Sequence, residues 1–290
     1  MEKLMIITDT NSNIMPKDAQ ELGIETVTMP FNIDGDEYMD GVDLTNEEFF
    51  QKMQMGADIK TSQPSQFYLE EMWERILKDY EEILYIPTSS GLSGTCENAK
   101  IHAEKYNGRI HIVDNHRISV FLKEAVYHAI ALKEQGKSAA EIKEILEATA
   151  HKQSTYLVVN KLKYLKKGGR VSPAVAAIGD MISLKPILYT RGQNFDKCAM
   201  ALSMAQAKKR MIERIKSDLE NEFKEDYENG HMTVSVAHAN CLKDALRFKE
   251  EIEKALPKLK FRFVDDMSLS VACHVGPGAF AISVSFNDLV

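Results

Sequence analysis

Apolar residues recur along the chain with two periods. Short β-branched or alternating runs at 4–8, 24–29, 83–86 and 109–113 predict strands. Between them the spacing is that of amphipathic helices. One at 15–22 is stopped by Gly23, and one at 46–55 is opened by the capping box Thr45/Glu48. A helix capped by Ser65 runs to about residue 80, and others follow at 95–106, from about 119 to Gly136, and after the capping box Ser138/Glu141. Strands that are each followed by a helix predict a parallel sheet covered on both faces. Residues 34–43, rich in Asp and Gly, read as a turn-rich surface loop.

Beyond about residue 150 the pattern changes. Runs at 186–189 and 195–202 flank Arg191-Gly192-Gln193-Asn194, a hairpin signal. A long helix at 203–223 follows, then strand 233–237, helix 242–256, strand 261–264 and strand 279–286. The expected fold is therefore α/β in two domains: residues 1–152, three-layered with a parallel sheet, and 153–290, two-layered with a mixed sheet.

Composition narrows the class. The 290 residues are 44% hydrophobic and 27% charged, as in a folded globular chain. A net charge of −7 argues against nucleic acid as a partner, because phosphate affinity comes from Lys and Arg. Cys96, Cys198, Cys241 and Cys273 form no paired spacing, and no HExxH occurs, so neither a disulfide scaffold nor a metal site is expected. The stretch 267–286 lacks charge but carries Gly, Pro and Ser, and reads as strand and loop rather than a membrane span. A cytoplasmic protein without stable membrane insertion is the expectation, since the first ten residues do not form a secretory signal.

Several segments could carry chemistry. Pro87-Thr-Ser-Ser-Gly-Leu-Ser-Gly-Thr95 joins a strand to a helix and offers backbone N–H groups to an anion, or forms an ordinary helix cap. Ser93 as a hydrolase nucleophile is disfavoured: Gly91 fits the elbow pattern, but Thr95 stands where the second Gly belongs. Thr61-Ser-Gln-Pro-Ser65 is a second hydroxyl cluster, either a cap or a carboxylate holder. As a calcium loop, 34–45 fails, with Tyr38, Met39 and Thr45 at ligand or glycine positions. Lys166-Lys-Gly-Gly-Arg-Val-Ser172 is basic and reads as flexible, fit for a phosphate or an acidic partner, or as a helix C-cap; no Walker A pattern is present. His274-Val-Gly-Pro-Gly278 places a histidine beside a sharp backbone path after a strand; the other histidines read as surface or packing.

Together these segments resemble one family. Thr8-Asp-Thr10, Tyr38-Met-Asp-Gly-Val-Asp43, Thr61-Ser-Gln-Pro-Ser65, Ser90-Gly-Leu-Ser-Gly-Thr95, Leu162-Lys-Tyr-Leu-Lys-Lys-Gly-Gly-Arg170, Lys185-Pro-Ile-Leu188 and His274-Val-Gly-Pro-Gly-Ala279 appear in the order seen in DegV proteins. The resemblance implies two α/β domains with a long-chain fatty acid between them, no cofactor and no independent catalysis. It also implies service as the acyl-carrying subunit of a fatty-acid kinase, whose separate ATP-dependent subunit makes acyl phosphate. By the same resemblance the carboxylate lies at Thr61, Ser62, Ser93, Gly94 and His274, and Arg170 serves the kinase step. His274 is then either an imidazolium paired with the carboxylate or a neutral donor. The alternatives are an enzyme acting on a phosphorylated or carboxylated small molecule, and a regulatory lipid sensor. The chain departs from the family pattern at Phe121 and Lys123, where glycines are usual, at Cys198 and Ala199 after Lys197, and at Cys96.

Overall fold

The computed structural model describes residues 2–178 and 184–289. The chain divides into two compact units, Met1–His151 with Ser268–Ser270, and Lys152–Met267 with Val271–Val290.

The first unit runs β1 (Glu2–Asp9), α1 (Pro16–Glu21), β2 (Glu25–Val27), β3 (Pro30–Ile33), β4 (Asp36–Met39), α2 (Asn46–Gln54), β5 (Ile59–Thr61) and α3 (Gln66–Ile76). It continues through β6 (Tyr80–Ile86), α4 (Thr95–Ala103), β7 (Ile110–Ile112), α5 (Val120–Glu134) and α6 (Ala139–Ala148). Strands β2-β1-β6-β7 form a wholly parallel sheet. Side chains of β1 and β6 alternate between two cores. Leu4, Ile6, Leu84 and Ile86 meet Leu122 and Val126 of α5 and Ile142 of α6. Met5, Ile7, Ile83 and Tyr85 meet Leu69 and Trp73 of α3 and Ala99 of α4. The expected three layers are present.

The acidic stretch is not the surface loop its composition suggests. Asp34 and Gly35 turn a hairpin at φ 54° and 105°, and β4-β3-β5 form an antiparallel sheet. Its anchor is Phe31, buried edge-on against Phe49 at 5.7 Å. Strand β4 has almost no apolar alternation, which hides it from a periodicity reading. Asp40, at its end, is buried.

The second unit runs β8 (Gln153–Val158), α7 (Lys163–Gly168), α8 (Pro173–Ala176), β9 (Lys185–Thr190), β10 (Asp196–Ala201), α9 (Met204–Asn221), α10 (Lys224–Glu228) and β11 (Met232–His238). It ends with α11 (Leu242–Ala255), β12 (Lys260–Asp266), α12 (Leu269–Val275) and β13 (Phe280–Phe286). The mixed sheet has the order β10-β9-β8-β13-β11-β12, with only β11 and β12 parallel. Tyr156, Val158, Val234, Val236, Ile282 and Val284 pack on Met211 and Ile215 of α9 and Phe248 and Ile252 of α11. The opposite face carries small polar side chains, and Thr155 and Ser283 share a 2.9 Å hydroxyl hydrogen bond there. This is the expected two-layer arrangement.

Helix α12 occupies part of the stretch that reads as strand and loop. Its start signal is not local. Leu269 N–H and Ser270 N–H donate to the two oxygens of Asp40, each at 3.2 Å, so a carboxylate 229 residues from Leu269 in sequence does the work of an N-cap. Among the described residues, no helix is long and apolar enough to cross a membrane.

Candidate functional site

In the first unit, β6 ends at Ile86 and the chain turns through Pro87–Gly94 into α4. This is the crevice position of an open parallel sheet, beyond the carboxyl ends of the strands. Gly94 precedes the helix and supplies no side-chain cap. Ser93 replaces it: Thr95 N–H donates to Ser93 Oγ at 3.3 Å, and the two hydroxyls lie 2.9 Å apart. When Thr95 also donates its hydroxyl proton, both Ser93 lone pairs are used and the Ser93 proton is directed to another acceptor.

The second hydroxyl cluster follows β5. Thr61 pairs with Phe31 and is half-buried, whereas Ser62 is exposed and its N–H donates to Pro30 O at 3.2 Å. Ser65 accepts from Tyr68 N–H and caps α3 as expected. Gln63 joins the two clusters: a Cβ placed on Gly94 would lie 2.3 Å from Gln63 Nε2. Glycine at 94 thus lets the 61–65 loop lie directly on the start of α4. Thr61, Ser62, Ser93 and Gly94 are accordingly brought to neighbouring loops of one unit.

The ends of β1 and β6 also carry a buried polar network that sequence reading left without a role. Asp9 accepts from Thr88 N–H at 2.7 Å, Thr88 Oγ1 at 2.9 Å and Asn11 N–H at 3.1 Å. It ties the end of β1 to the end of β6. Ser270 Oγ lies within hydrogen-bond distance of Asn11 Oδ1 and, at 2.6 Å, of Asp40 Oδ2. Burial pushes the Asp9 carboxyl up to about 6, against the lowering effect of Thr88 and Asn11, with Asp40 adding to the rise. Asp40 is also raised by burial, opposed by its bonds to Ser270 and Leu269. The Thr-Asp-Thr and Asp-Gly motifs were the available signal; nothing local in them discloses burial.

The second unit holds His274 and Arg170. His274 lies in the last turn of α12, so it sits within a helix rather than after the strand anticipated. Gly276, at φ 75°, brings its backbone against the Tyr164 ring, where a Cβ would lie 2.3 Å from Cδ2. Burial, with a smaller contribution from the Arg170 charge, lowers the His274 pKa to about 4. Burial thus disfavours the imidazolium form of the ring in this structure.

The basic segment is more ordered than its composition suggests. Residues 163–168 form α7, Gly169 ends it at φ 69°, and Arg170 Nη1 donates to Gly168 O. Arg170 O accepts from Phe195 N–H at 2.9 Å, and Val171 bridges Phe195. Arg170 is half-buried. The remaining histidines include His238, buried, with Nδ1 2.9 Å from Asp266. Of the departures from the family pattern, Phe121 is buried in α5, and Cys96 is buried in the core between α4 and the sheet. Cys96, Glu97 and Asp114 bring ligand atoms within 4.8 Å of one another. Burial pushes that thiol up to about 12, however, and Glu97 is engaged by Lys100 at 2.7 Å.

Comparison with known proteins agrees with this architecture. A family model described as an uncharacterised protein of the DegV family matches residues 3–287. A DegV domain-containing protein of Clostridium perfringens is 32% identical over 97% of this chain and 97% of its own length. A fatty acid binding DegV family protein of Streptococcus agalactiae has a solved structure that superposes with TM-score 0.86 at 25% identity, over 99% of this chain and all of the other. A DegV family protein of Thermus thermophilus, solved for its fatty acid binding, gives TM-score 0.88 at 24% identity over 98% and 99%. With a match over nearly its whole length and the buried Asp, double-hydroxyl and Gly-Gly-Arg elements in place, this chain belongs to the DegV family.

Proposed function

We propose that this protein binds a long-chain fatty acid as its ligand, needs no cofactor, and has no catalytic activity of its own. The carboxylate accepts hydrogen bonds from Thr61, Ser62, Ser93, the Gly94 backbone N–H and His274. The observation that carries the reading is the contact of Gln63 with Gly94, which gathers two hydroxyl clusters at the positive end of α4. Solved relatives that bind fatty acids add support. An ionised carboxylate removed from water needs such donors. The neutral His274 ring contributes an N–H without a full charge.

The acyl chain supplies most of the affinity. At about 0.8 kcal/mol per CH₂, roughly 14 methylenes give about 11 kcal/mol gross, from which ordering and association costs subtract. That favours a ligand retained through purification. Presentation of the carboxylate to a separate ATP-dependent kinase subunit, with Arg170 at the phosphoryl-transfer step, is the finer part of this proposal; a cytoplasmic location accords with it. Mass spectrometry of solvent-extracted protein should show a long-chain fatty acid. Ser93→Ala and Thr61→Ala each remove a donor to a charged group, about 1.5–3 kcal/mol, so each should weaken binding of a fluorescent fatty acid about tenfold or more. Unchanged affinity in both variants would reject the carboxylate site, and turnover of a small molecule by the purified chain would favour an enzyme instead.

A further inference from the structure

We propose that Gly168 is a positioning residue for His274: the last residue of α7 has no side chain because the imidazole is seated against its backbone. A Cβ built on Gly168 would lie 2.1 Å from His274 Nδ1, 3.0 Å from Cε1 and 3.2 Å from Cγ. Distances of that kind mean the ring and any side chain at 168 exclude one another. The backbone gives no competing reason for glycine here. Gly168 is inside the helix and has no positive φ, unlike Gly169 at φ 69°. Alanine is the better helix former at such a position. The paired glycines therefore do different jobs. Gly169 makes the left-handed exit from the helix. Gly168 makes room for the ring.

Two neighbours make the seat directional. Tyr164, one turn earlier on α7, packs against Gly276, so the same helix meets both His274 and the chain two residues beyond it. Arg170 hooks back onto the Gly168 carbonyl and holds the turn closed on the ring. The Gly-Gly-Arg element thus orients a histidine. Its consequence for lipid binding rests on the reading that His274 donates to the fatty acid carboxylate.

The test uses the full chain as Gly168→Ala, Gly169→Ala, His274→Ala and the Gly168→Ala/His274→Ala pair. The readouts are ¹H–¹⁵N ring correlations of lipid-stripped protein, thermal midpoint, and affinity for a fluorescent fatty acid. Gly168→Ala should shift the His274 ring signals and weaken binding about tenfold, with the midpoint equal to or above that of the parent. Gly169→Ala should lower the midpoint and leave the ring signals in place, because nothing lies within 4 Å of its Cβ. With His274 already removed, Gly168→Ala should cost no further affinity. Parent-like ring signals in Gly168→Ala would overturn the proposal, as would an equal loss of affinity with and without the histidine. If His274→Ala alone binds like the parent, the carboxylate reading fails at His274, and the ring signals still decide the seat.

Discussion

His274 shows how a single side chain can take its ionisation state from its surroundings. Burial lowers its pKa to about 4, and the Arg170 guanidinium adds to the effect. Removing that charge should relieve only the smaller cause. Arg170→Gln should therefore raise the His274 pKa, while burial keeps it below the ordinary value of about 6.5. A ring titration of lipid-stripped protein measures this, and an unmoved midpoint would mean that the Arg170 charge does not reach the ring. At the residue scale the sequence was informative where chemistry is local. Ser65 and Ser93 stand at helix starts, and their hydroxyls accept the backbone N–H groups left over there. It was silent on Asp9 and Asp40, whose burial is set by strands far apart in the chain. It was equally silent on Gly168, whose need for glycine comes from a ring more than a hundred residues away.

At the scale of elements, start signals carried in the first turn were legible and those supplied from elsewhere were not. Thr45/Glu48 and Ser138/Glu141 each form the reciprocal capping box that their spacing announces. The β9–β10 hairpin follows from its turn residues and flanking apolar runs. Helix α12 and the small β4-β3-β5 sheet escaped, one because Asp40 caps it in trans, the other because β4 is a polar strand only four residues long. The trans cap is testable. Asp40→Ala removes the acceptors for Leu269 N–H, Ser270 N–H and the Ser270 hydroxyl. Loss of a cap costs about 0.5–2 kcal/mol. The thermal midpoint should fall, and amide exchange at Leu269 and Ser270 should accelerate before that of the β1 core. Asp40→Asn should fall between, since its amide oxygen accepts one N–H while its nitrogen faces the other. Unaltered exchange at both amides would show that the helix starts without Asp40.

For the whole molecule, the alternation of strand and helix in the first half and the hairpin in the second were enough to predict one parallel and one mixed sheet. What they did not convey is that each unit buries a titratable group with the opposite pH response. The Asp9 carboxyl, raised to about 6, binds a proton more readily folded than unfolded. Its contribution to stability is full below about 4 and is lost as pH rises through 6; Asp40, also raised, acts in the same sense. The His274 ring, lowered to about 4, binds a proton less readily folded than unfolded. Its contribution is full above about 6.5 and is lost as pH falls towards 4. Between pH 4 and 6.5 the His274 slope opposes that of the carboxylates, so the parent profile should be flatter than the carboxylates alone would give. Single substitutions should uncover each slope. His274→Ala leaves the carboxylates alone, and stability should then fall with rising pH over that range. Asp9→Asn removes one carboxylate and leaves Asp40 and His274, so the slope of stability against pH should become more positive than in the parent. Urea midpoints at half-unit intervals from pH 4 to 7 would measure both, and parallel profiles for the parent and the two variants would show that neither group titrates differently on folding.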